Sequence, residues 1–463
     1  MNDEKANSTG KNGISRKDFL KNSALATAGF FIVPRHVLGG SGFTAPSDKL
    51  NIACIGIGGV GKGDTRALAE LGENIYALCD VDQKYAAETL NTYPKAKQYV
   101  DFRDMLDKEK EIDAVMVATP DNTHAAIAIY AMQMGKHAYV QKPLGRTIYE
   151  TRRMAQVARE AGVVTQMGNQ GHAFDGTYNI VEWIRQGAIG TVTEVDCWTD
   201  RPRGWWPQGA DVSRPKDNPV VPETMHWDLW LGPSPYRPYH PAYAPFAWRG
   251  RWDFGTGALG DMGAHIMDQP YWALQLGMPS NVHASSTPLN EEAFPTATSV
   301  HYEFPKTENR PAVKLNWYDG GLEPARPAGL EVGRPMGHEW GGMIFHGSKG
   351  KLMADVYGRN PRFIPGSYQK EIGPPEQTMK RSPGIYKEWV SACKGNGKTT
   401  SDFEYAAALT ETMLIGNMAV QFGDRNQKLE WDAENMRVKN LEDANQWLDQ
   451  RKDFRPGWSE MIG

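Results

Sequence analysis

Cysteine is scarce, with four in 463 residues, and none sits at the spacing of a metal knuckle. That excludes a disulfide-stapled scaffold and a cysteine-ligated zinc site, and no metal is expected. Cys54 and Cys79 end successive apolar runs and read as small buried apolar groups. Basic blocks are also missing, and the formal net charge is −4, so nucleic acid is not an expected partner. There is no internal repeat. No apolar run reaches the roughly 20 residues that span a bilayer, so no stable membrane anchor is expected.

A chain this long exceeds what one core usually holds, and at least two domains are expected. The strongest signal is Leu50 to Asp80. An apolar run from Leu50 to Ile55 suits a buried parallel strand. Gly56, Gly58 and Gly61 follow at G-x-G-x-x-G spacing, and Gly59 and Val60 open a helix. The glycines give a tight turn, a close approach of pyrophosphate to bare backbone, and close helix-on-strand contact. The helix N-terminus adds free N–H groups. A second apolar run, Ile75 to Cys79, ends in Asp80, where a carboxylate can accept from ribose hydroxyls. This favours NAD over NADP, because a 2′-phosphate would face a negative charge, with Lys84 the only nearby cation.

Strand and helix then alternate. Ile112 to Ala118 is a strand ending in Thr119-Pro120-Asp121-Asn122-Thr123-His124. Ligands sit at strand carboxyl ends in such sheets, so Thr119, Pro120, Asn122 and His124 are candidates for the nicotinamide side of the cofactor. The strand His137 to Val140 ends in Gln141-Lys142-Pro143. A helix from Thr147 to Ala161 and a strand from Val163 to Met167 follow, and Asn169 closes the nucleotide domain. Gln141 and Asn169 complete the cofactor candidates. Lys142, at a strand carboxyl end beside a cationic nicotinamide, is a candidate for acid–base work on the substrate.

Beyond about residue 171 the pattern changes. His172 to Gln186 reads as a helix, Thr191 to Thr199 as a half-buried strand, and further strands lie near Val282, Val300, Val313, Ile344 and Leu352. Gly347 to Gly350 joins the last two as a hairpin turn. Ile385 to Cys393 and Phe403 to Gln421 read as helices, Leu429 to Trp431 as a short strand. The fold class is α/β: a Rossmann domain over residues 48–170, then an α+β domain over 171–455 with an open, largely antiparallel sheet. One sheet face is free to meet a partner subunit, so a homo-oligomer is expected. Residues 1–47 read as an export signal and linker. Ser15 to Lys21 precede an apolar run from Ala24 to Val33, which resembles a twin-arginine signal with Lys17 at the second arginine, and implies a periplasmic destination.

Between Asp200 and Gly257 the chain is crowded with Arg, Pro, Trp and Tyr, including Trp227, Trp230, Trp248 and Arg249. Such a segment is too aromatic for disorder. Its arginines can hold hydroxyl or acidic groups while tryptophans stack on a sugar ring. Arg203, Trp205, Arg251 and Trp252 are its substrate candidates. Next comes GTGALGDMGAHIMD, Gly255 to Asp268. On a helix, Asp261 and His265 share a face, with Asp268 one turn on. Histidine suits proton exchange with a hydroxyl near neutral pH, and a carboxylate one turn away can orient it. Gly257, Gly260 and Gly263 beside them suggest that something approaches closely.

GIGGVG, ATPDNTH, the QKP tripeptide and GTGALGDMGAHIMD together resemble the Gfo/Idh/MocA oxidoreductases, over nearly all of the chain after residue 48. Gln141 stands where that family usually has glutamate, which removes a carboxylate beside the cofactor. The resemblance is nearest to exported sugar-active members. It implies NAD-dependent hydride transfer at a ring hydroxyl of a sugar or glycoside. His265 would take the proton, Lys142 would polarise the oxygen and bind substrate with His265, and Asp261 would orient the site. As the alternative it allows a glycosidase that retains NAD, oxidising a sugar carbon, eliminating the glycosidic substituent, adding water and returning the hydride. A non-catalytic NAD or sugar binder is the third reading.

Overall fold

The computed structural model describes residues 48–425, 427–449 and 453–463. The expected export segment lies outside the described residues.

Six short strands form a wholly parallel sheet: β1 (Asn51–Ile55), β2 (Asn74–Cys79), β3 (Lys97–Tyr99), β4 (Ala114–Val117), β5 (His137–Val140) and β6 (Thr165–Met167). Their order is β3-β2-β1-β4-β5-β6. All of β4 and most of β1 are buried, as a sheet covered on both faces requires. The crossovers are α1 (Val60–Glu70), α2 (Gln83–Thr92), α3 (Phe102–Lys108), α4 (Asp121–Gln133) and α5 (Ile148–Ala161). Thr147 caps α5 reciprocally with Glu150, and Gly162 stops it at a φ of 64°. The order reverses between β1 and β4, which opens a crevice at their carboxyl ends.

The second sheet has nine strands. These are β7 (Val192–Thr199), β8 (Asn281–Ser286), β9 (Thr298–Phe304), β10 (Val313–Tyr318), β11 (Gly341–Gly347), β12 (Lys351–Asp355), β13 (Arg362–Ile364), β14 (Leu429–Asp432) and β15 (Arg437–Val438). The order is β13-β12-β11-β7-β10-β9-β8-β14-β15, antiparallel except where β7 meets β10. The Gly347 N–H donates to Gly350 O at 2.9 Å, closing the expected hairpin. On one face lie α6 (Asp175–Arg185), α7 (Gly257–Ile266), α8 (Asp268–Leu274) and a long helix from Phe403 to Gln421. The start of α6 differs from expectation: a 3₁₀ turn, Gln170–Ala173, precedes it, and Phe174 offers no side-chain cap.

The other face is half-exposed and polar. His283 stacks on His301 at 5.0 Å, and Asn316 donates to Asp196, which also pairs with His346 at 2.7 Å.

Residues from Leu50 onward form one compact unit, and late segments fold back onto the first sheet. Ile385–Cys393 buries Trp389 among Ile52, Cys54 and Leu78. The Phe403–Gln421 helix is buried nearly all round because it lies between α5, α7, β8 and β9. Its Glu411 receives both Nε and Nη2 of Arg152 at 2.6 Å. No described helix is long and apolar enough to cross a membrane.

Candidate active site

A cleft of about 420 Å³ occupies the crevice. Gly56 has a φ of +77°, and a Cβ there would lie 2.7 Å from the Ala118 carbonyl oxygen. A Cβ at Gly61 would lie 1.8 Å from Gly56 O, so only glycine lets α1 sit so close to the strand it follows. No side chain caps α1 at Gly59 and its first turn holds no acid, so its N–H groups are available to an anion. Gly56, Gly58, Gly59, Val60 and Asp80 line the cleft, whereas Gly61 faces the strand. The fold implies a dinucleotide, and this uncapped glycine cradle fits one.

Two details were not anticipated. The Tyr85 ring lies flush on Gly58, where a Cβ would be 2.1 Å from Tyr85 Cδ1. The Asp80 carboxylate already accepts from Ile57 N at 2.8 Å and Asp82 N at 2.9 Å. It therefore shapes the turn as well as facing the cleft, and burial pushes its pKa up to about 6.

Of the candidates on the nicotinamide side, Thr119, Pro120 and Gln141 line the cleft. Asn122 and His124 do not. The Asn122 amide donates to Leu231 O and Ser234 Oγ, both at 2.9 Å. His124 lies between Thr119 O and Pro143 O, 2.9 Å from each, and burial lowers its pKa to about 4. Both hold loops together rather than contact a ligand. Asn169 is buried outside the cleft lining, and neither side-chain polar atom has a partner among the described residues. Gln141 Nε2 donates to Asp64 Oδ2 at 2.8 Å, and Tyr386 donates to the other Asp64 oxygen at 2.6 Å. The carboxylate absent from position 141 is thus matched by one buried behind it, with its pKa pushed up by burial to about 6.

The three catalytic candidates converge from two elements. Lys142, just beyond β5, puts Nζ 2.7 Å from Asp261 Oδ1 and 2.8 Å from Asp261 O on α7. Arg249 Nε lies 3.6 Å from the same Oδ1. Burial opposes charge on Asp261, but Lys142 and then Arg249 outweigh it and hold the carboxyl at about 2. His265, one turn further, is buried outside the cleft lining, with Tyr357 edge-on at 4.6 Å. Burial, then the charge of Lys142, keeps its pKa far below the usual imidazole range, and its Nδ1 has no partner among the described residues.

The glycines of α7 serve packing rather than a ligand. A Cβ at Gly260 would strike the Thr256 side chain at 2.1 Å, and one at Gly263 would strike Met413 at 2.6 Å. Asp268 does not continue the Asp261–His265 face. It opens α8 and pairs with His172 Nδ1 at 2.9 Å and the Tyr405 hydroxyl at 2.7 Å.

The aromatic segment roofs the cleft. Backbone bonds tie it to one lip, from His226 N to Val81 O at 2.8 Å and from Gln83 N to Thr224 O at 2.9 Å. Leu229, Trp230, Pro245, Phe246, Trp248 and Arg249 line the cleft from this side. The four substrate candidates chosen from the sequence do not. Arg203 is exposed beside Gly321, and Trp205, 41% exposed, stacks under Arg201 at 3.5 Å. Arg251 is buried against Glu292 at 3.0 Å. Trp252 packs on Phe294 at 3.6 Å and borders a separate cavity of about 510 Å³ with Arg146 and Trp447. Among the described residues no His, Cys, Asp and Glu groups gather as a metal site.

Residues 50–169 match the model of an oxidoreductase family with an NAD-binding Rossmann fold, and residues 203–307 match that family's C-terminal alpha/beta domain. The chain belongs to the Gfo/Idh/MocA family. A glycosyl hydrolase family 109 protein of Shewanella pealeana is 30% identical over 202 residues, 38% of this chain and 44% of that protein. A levoglucosan dehydrogenase of Pseudarthrobacter phenanthrenivorans is 25% identical over 48% of this chain and 50% of its own. The chain therefore spans about half the length of these curated relatives. Among solved structures, the WlbA dehydrogenase of Bordetella pertussis with NADH and UDP-GlcNAcA has a TM-score of 0.58 at 17% identity, covering 83% of this chain and all of that one. A levoglucosan dehydrogenase with NADH and levoglucosan scores 0.55 at 18% identity, over 82% of this chain and 99% of that one. At such identities these two show the shared fold.

Within this Gfo/Idh/MocA fold, sequence reasoning passed over three cleft residues. Asp121 opens α4, accepts from Thr256 Oγ1 at 2.7 Å, and is pushed up by burial to about 7. Tyr85 and Trp458 close the end near Asp80. Asp121 stood inside a loop already singled out, so its position was a usable signal. Trp458 lies about 360 residues from its Phe102 neighbour, at 6.1 Å, and nothing local marks it.

Proposed function

We propose that this protein is an NAD-dependent oxidoreductase acting on a ring hydroxyl of a sugar or glycoside. The observation that carries this reading is the Lys142–Asp261 pair at 2.7 Å on the wall of the dinucleotide cleft, with an uncharged His265 one turn on. The uncapped α1 N-terminus and the Gly56–Gly59 turn would hold the pyrophosphate, and Asp80 the ribose side. Bound NAD supplies the hydride acceptor.

The protein's own residues handle the proton and the oxygen. Two Lys142 N–H groups go to Asp261, leaving a third for the substrate oxygen. Asp261 holds that ammonium in place. His265, kept neutral by burial one turn behind Asp261, is the group we assign to accept the hydroxyl proton, which requires the substrate oxygen to reach past the cleft lining to its unpartnered, buried Nδ1. The aromatic roof supplies apolar faces for a sugar ring and excludes water.

The 30% identical family 109 relative supports a second reading, a glycosidase that retains NAD and uses the same residues. A sugar and glycoside panel separates the two. Growth of the reduced-nicotinamide absorbance with a keto product selects the dehydrogenase. Net hydrolysis without NAD consumption or keto sugar selects the glycosidase, and tight binding without any product sinks both. The reading also includes export through the Ser15–Lys21 segment, tested by fractionation. Pairing of subunits through the half-exposed sheet face is tested by light scattering.

A further inference from the structure

We infer that Arg249 is a specificity-determining residue and that the sugar carries a carboxylate, as a hexuronic acid unit does. This rests on the sugar reading above and names its substrate class.

Among the described residues, Arg249 is the roof's only cation on the cleft wall. Its guanidinium lies over the rings of Phe246, at 4.2 Å, and Trp248, at 4.4 Å, and Nη1 donates to Phe246 O at 3.1 Å. Those contacts fix the plane of the group before any ligand arrives, which lowers the entropy cost of binding. Nη2 has no acceptor among the described residues. The backbone is held as firmly: a Cβ at Gly255 would lie 2.4 Å from Arg249 O, so the segment can fold this tightly only with glycine there.

The charge count points the same way. Lys142 and Arg249 both draw on the one Asp261 carboxylate, at 2.7 and 3.6 Å. Asp121, the other carboxyl beside them, is buried and engaged by Thr256, and burial raises its pKa to about 7, so below that pH it adds no charge. One positive charge is left in excess over the single shared carboxylate, on a planar donor, in a roof otherwise apolar. A singly charged, flat acceptor is its complement, and a carboxylate meets that description better than a phosphate dianion.

Calorimetric titration of the full chain, saturated with NAD, tests this with methyl glucuronide, its methyl ester and methyl glucoside 6-sulfate. The glucuronide should bind at least about tenfold more tightly than the ester, the scale of one charge-assisted hydrogen bond. Arg249→Met should erase that ratio, and Arg249→Lys, which keeps the charge and loses the fork, should keep part of it. The comparison of acid with ester in the unmodified protein stands even if a variant misfolds. Equal binding of acid and ester, a ratio that survives in Arg249→Met, or no binding at all overturns the inference. Tighter binding of the sulfate overturns the carboxylate assignment. Tight glucuronide binding with no reduced nicotinamide would sink the oxidoreductase reading and leave the Arg249 subsite standing.

Discussion

Arg249 and Arg251 stand two residues apart in Trp-Arg-Gly-Arg-Trp, each beside a tryptophan, yet they do different work. Arg249 faces the cleft, with its side chain 17% exposed, and reaches Asp261 at 3.6 Å. Arg251 is 3% exposed, donates to Glu292 and to Ser213 O at 3.0 Å, and helps staple the roof to the loop before β9. Gly250 separates them where a Cβ would strike Pro207 O at 2.4 Å, so the chain is pressed flat between two surfaces and successive arginines serve opposite sides. Residue type told us that arginine matters here. The partner across the chain decides what each one is for, and the partner is distant in sequence.

The largest expected effect lies at the point both reaction readings share. Lys142→Met should lower turnover about 10²- to 10⁴-fold while NAD still binds, as read by fluorescence titration. Retained turnover would remove the lysine from the chemistry. The next effect breaks the arginine comparison. Arg251→Met leaves Glu292 buried with Arg237 and Arg214 still present, so it should cost about 2 kcal/mol of stability. Arg249→Met should cost less, because its 3.6 Å contact duplicates the closer Lys142 pair on the same Asp261 carboxylate. Equal shifts in thermal melting would show that the two arginines are interchangeable supports.

Much of the fold was legible because its signals are local. The helices Ile385–Cys393 and Phe403–Gln421 match the expected ends, Thr147 caps α5, and the glycine spacing located the cleft. Asp261 and His265 lie on one helix, as their spacing of four indicates, although only Asp261 reaches the cleft lining. What stayed hidden depends on long-range contacts. His124 reads as a ligand until Pro143 O and Thr119 O are seen on either side of it. Trp252 reads as a sugar platform until Phe294 is found covering it. The glycines of α7 suggested a ligand, whereas Thr256 and the Phe403–Gln421 helix fill that space.

A smaller change is expected at Asp80. Its carboxylate holds Ile57 N and Asp82 N as well as facing the ribose side. Asp80→Ser should therefore lower NAD affinity about tenfold, one lost charge-assisted bond, and narrow the preference over NADP. Equal binding of both cofactors by the unmodified protein would mean that Asp80 serves the turn alone.

The smallest expected effect tests whether the cleft's charge balance reaches the substrate. Asp121 sits among Thr256, Asp261, Arg249 and Lys142, and burial pushes its pKa up to about 7. Below that pH it is neutral; above it, a second carboxylate appears beside Asp261. The kcat/KM for a uronide should then fall a few-fold as pH rises through about 7, while that for the uncharged methyl ester stays level. His265 and Asp261, both titrating far lower, supply no limb in this window, and Asp80 and Asp64, at about 6 and on the cofactor side, should act alike on the uronide and its ester. The stability linkage has the same sign. A raised folded pKa means that the native state binds the proton more tightly, so stability from this group is present below its ordinary carboxylate value and is lost as pH climbs to about 7. Asp121→Asn should flatten both the uronide profile and that part of the stability curve. A limb that survives in Asp121→Asn would belong to another group and would separate the charge of Asp121 from substrate binding.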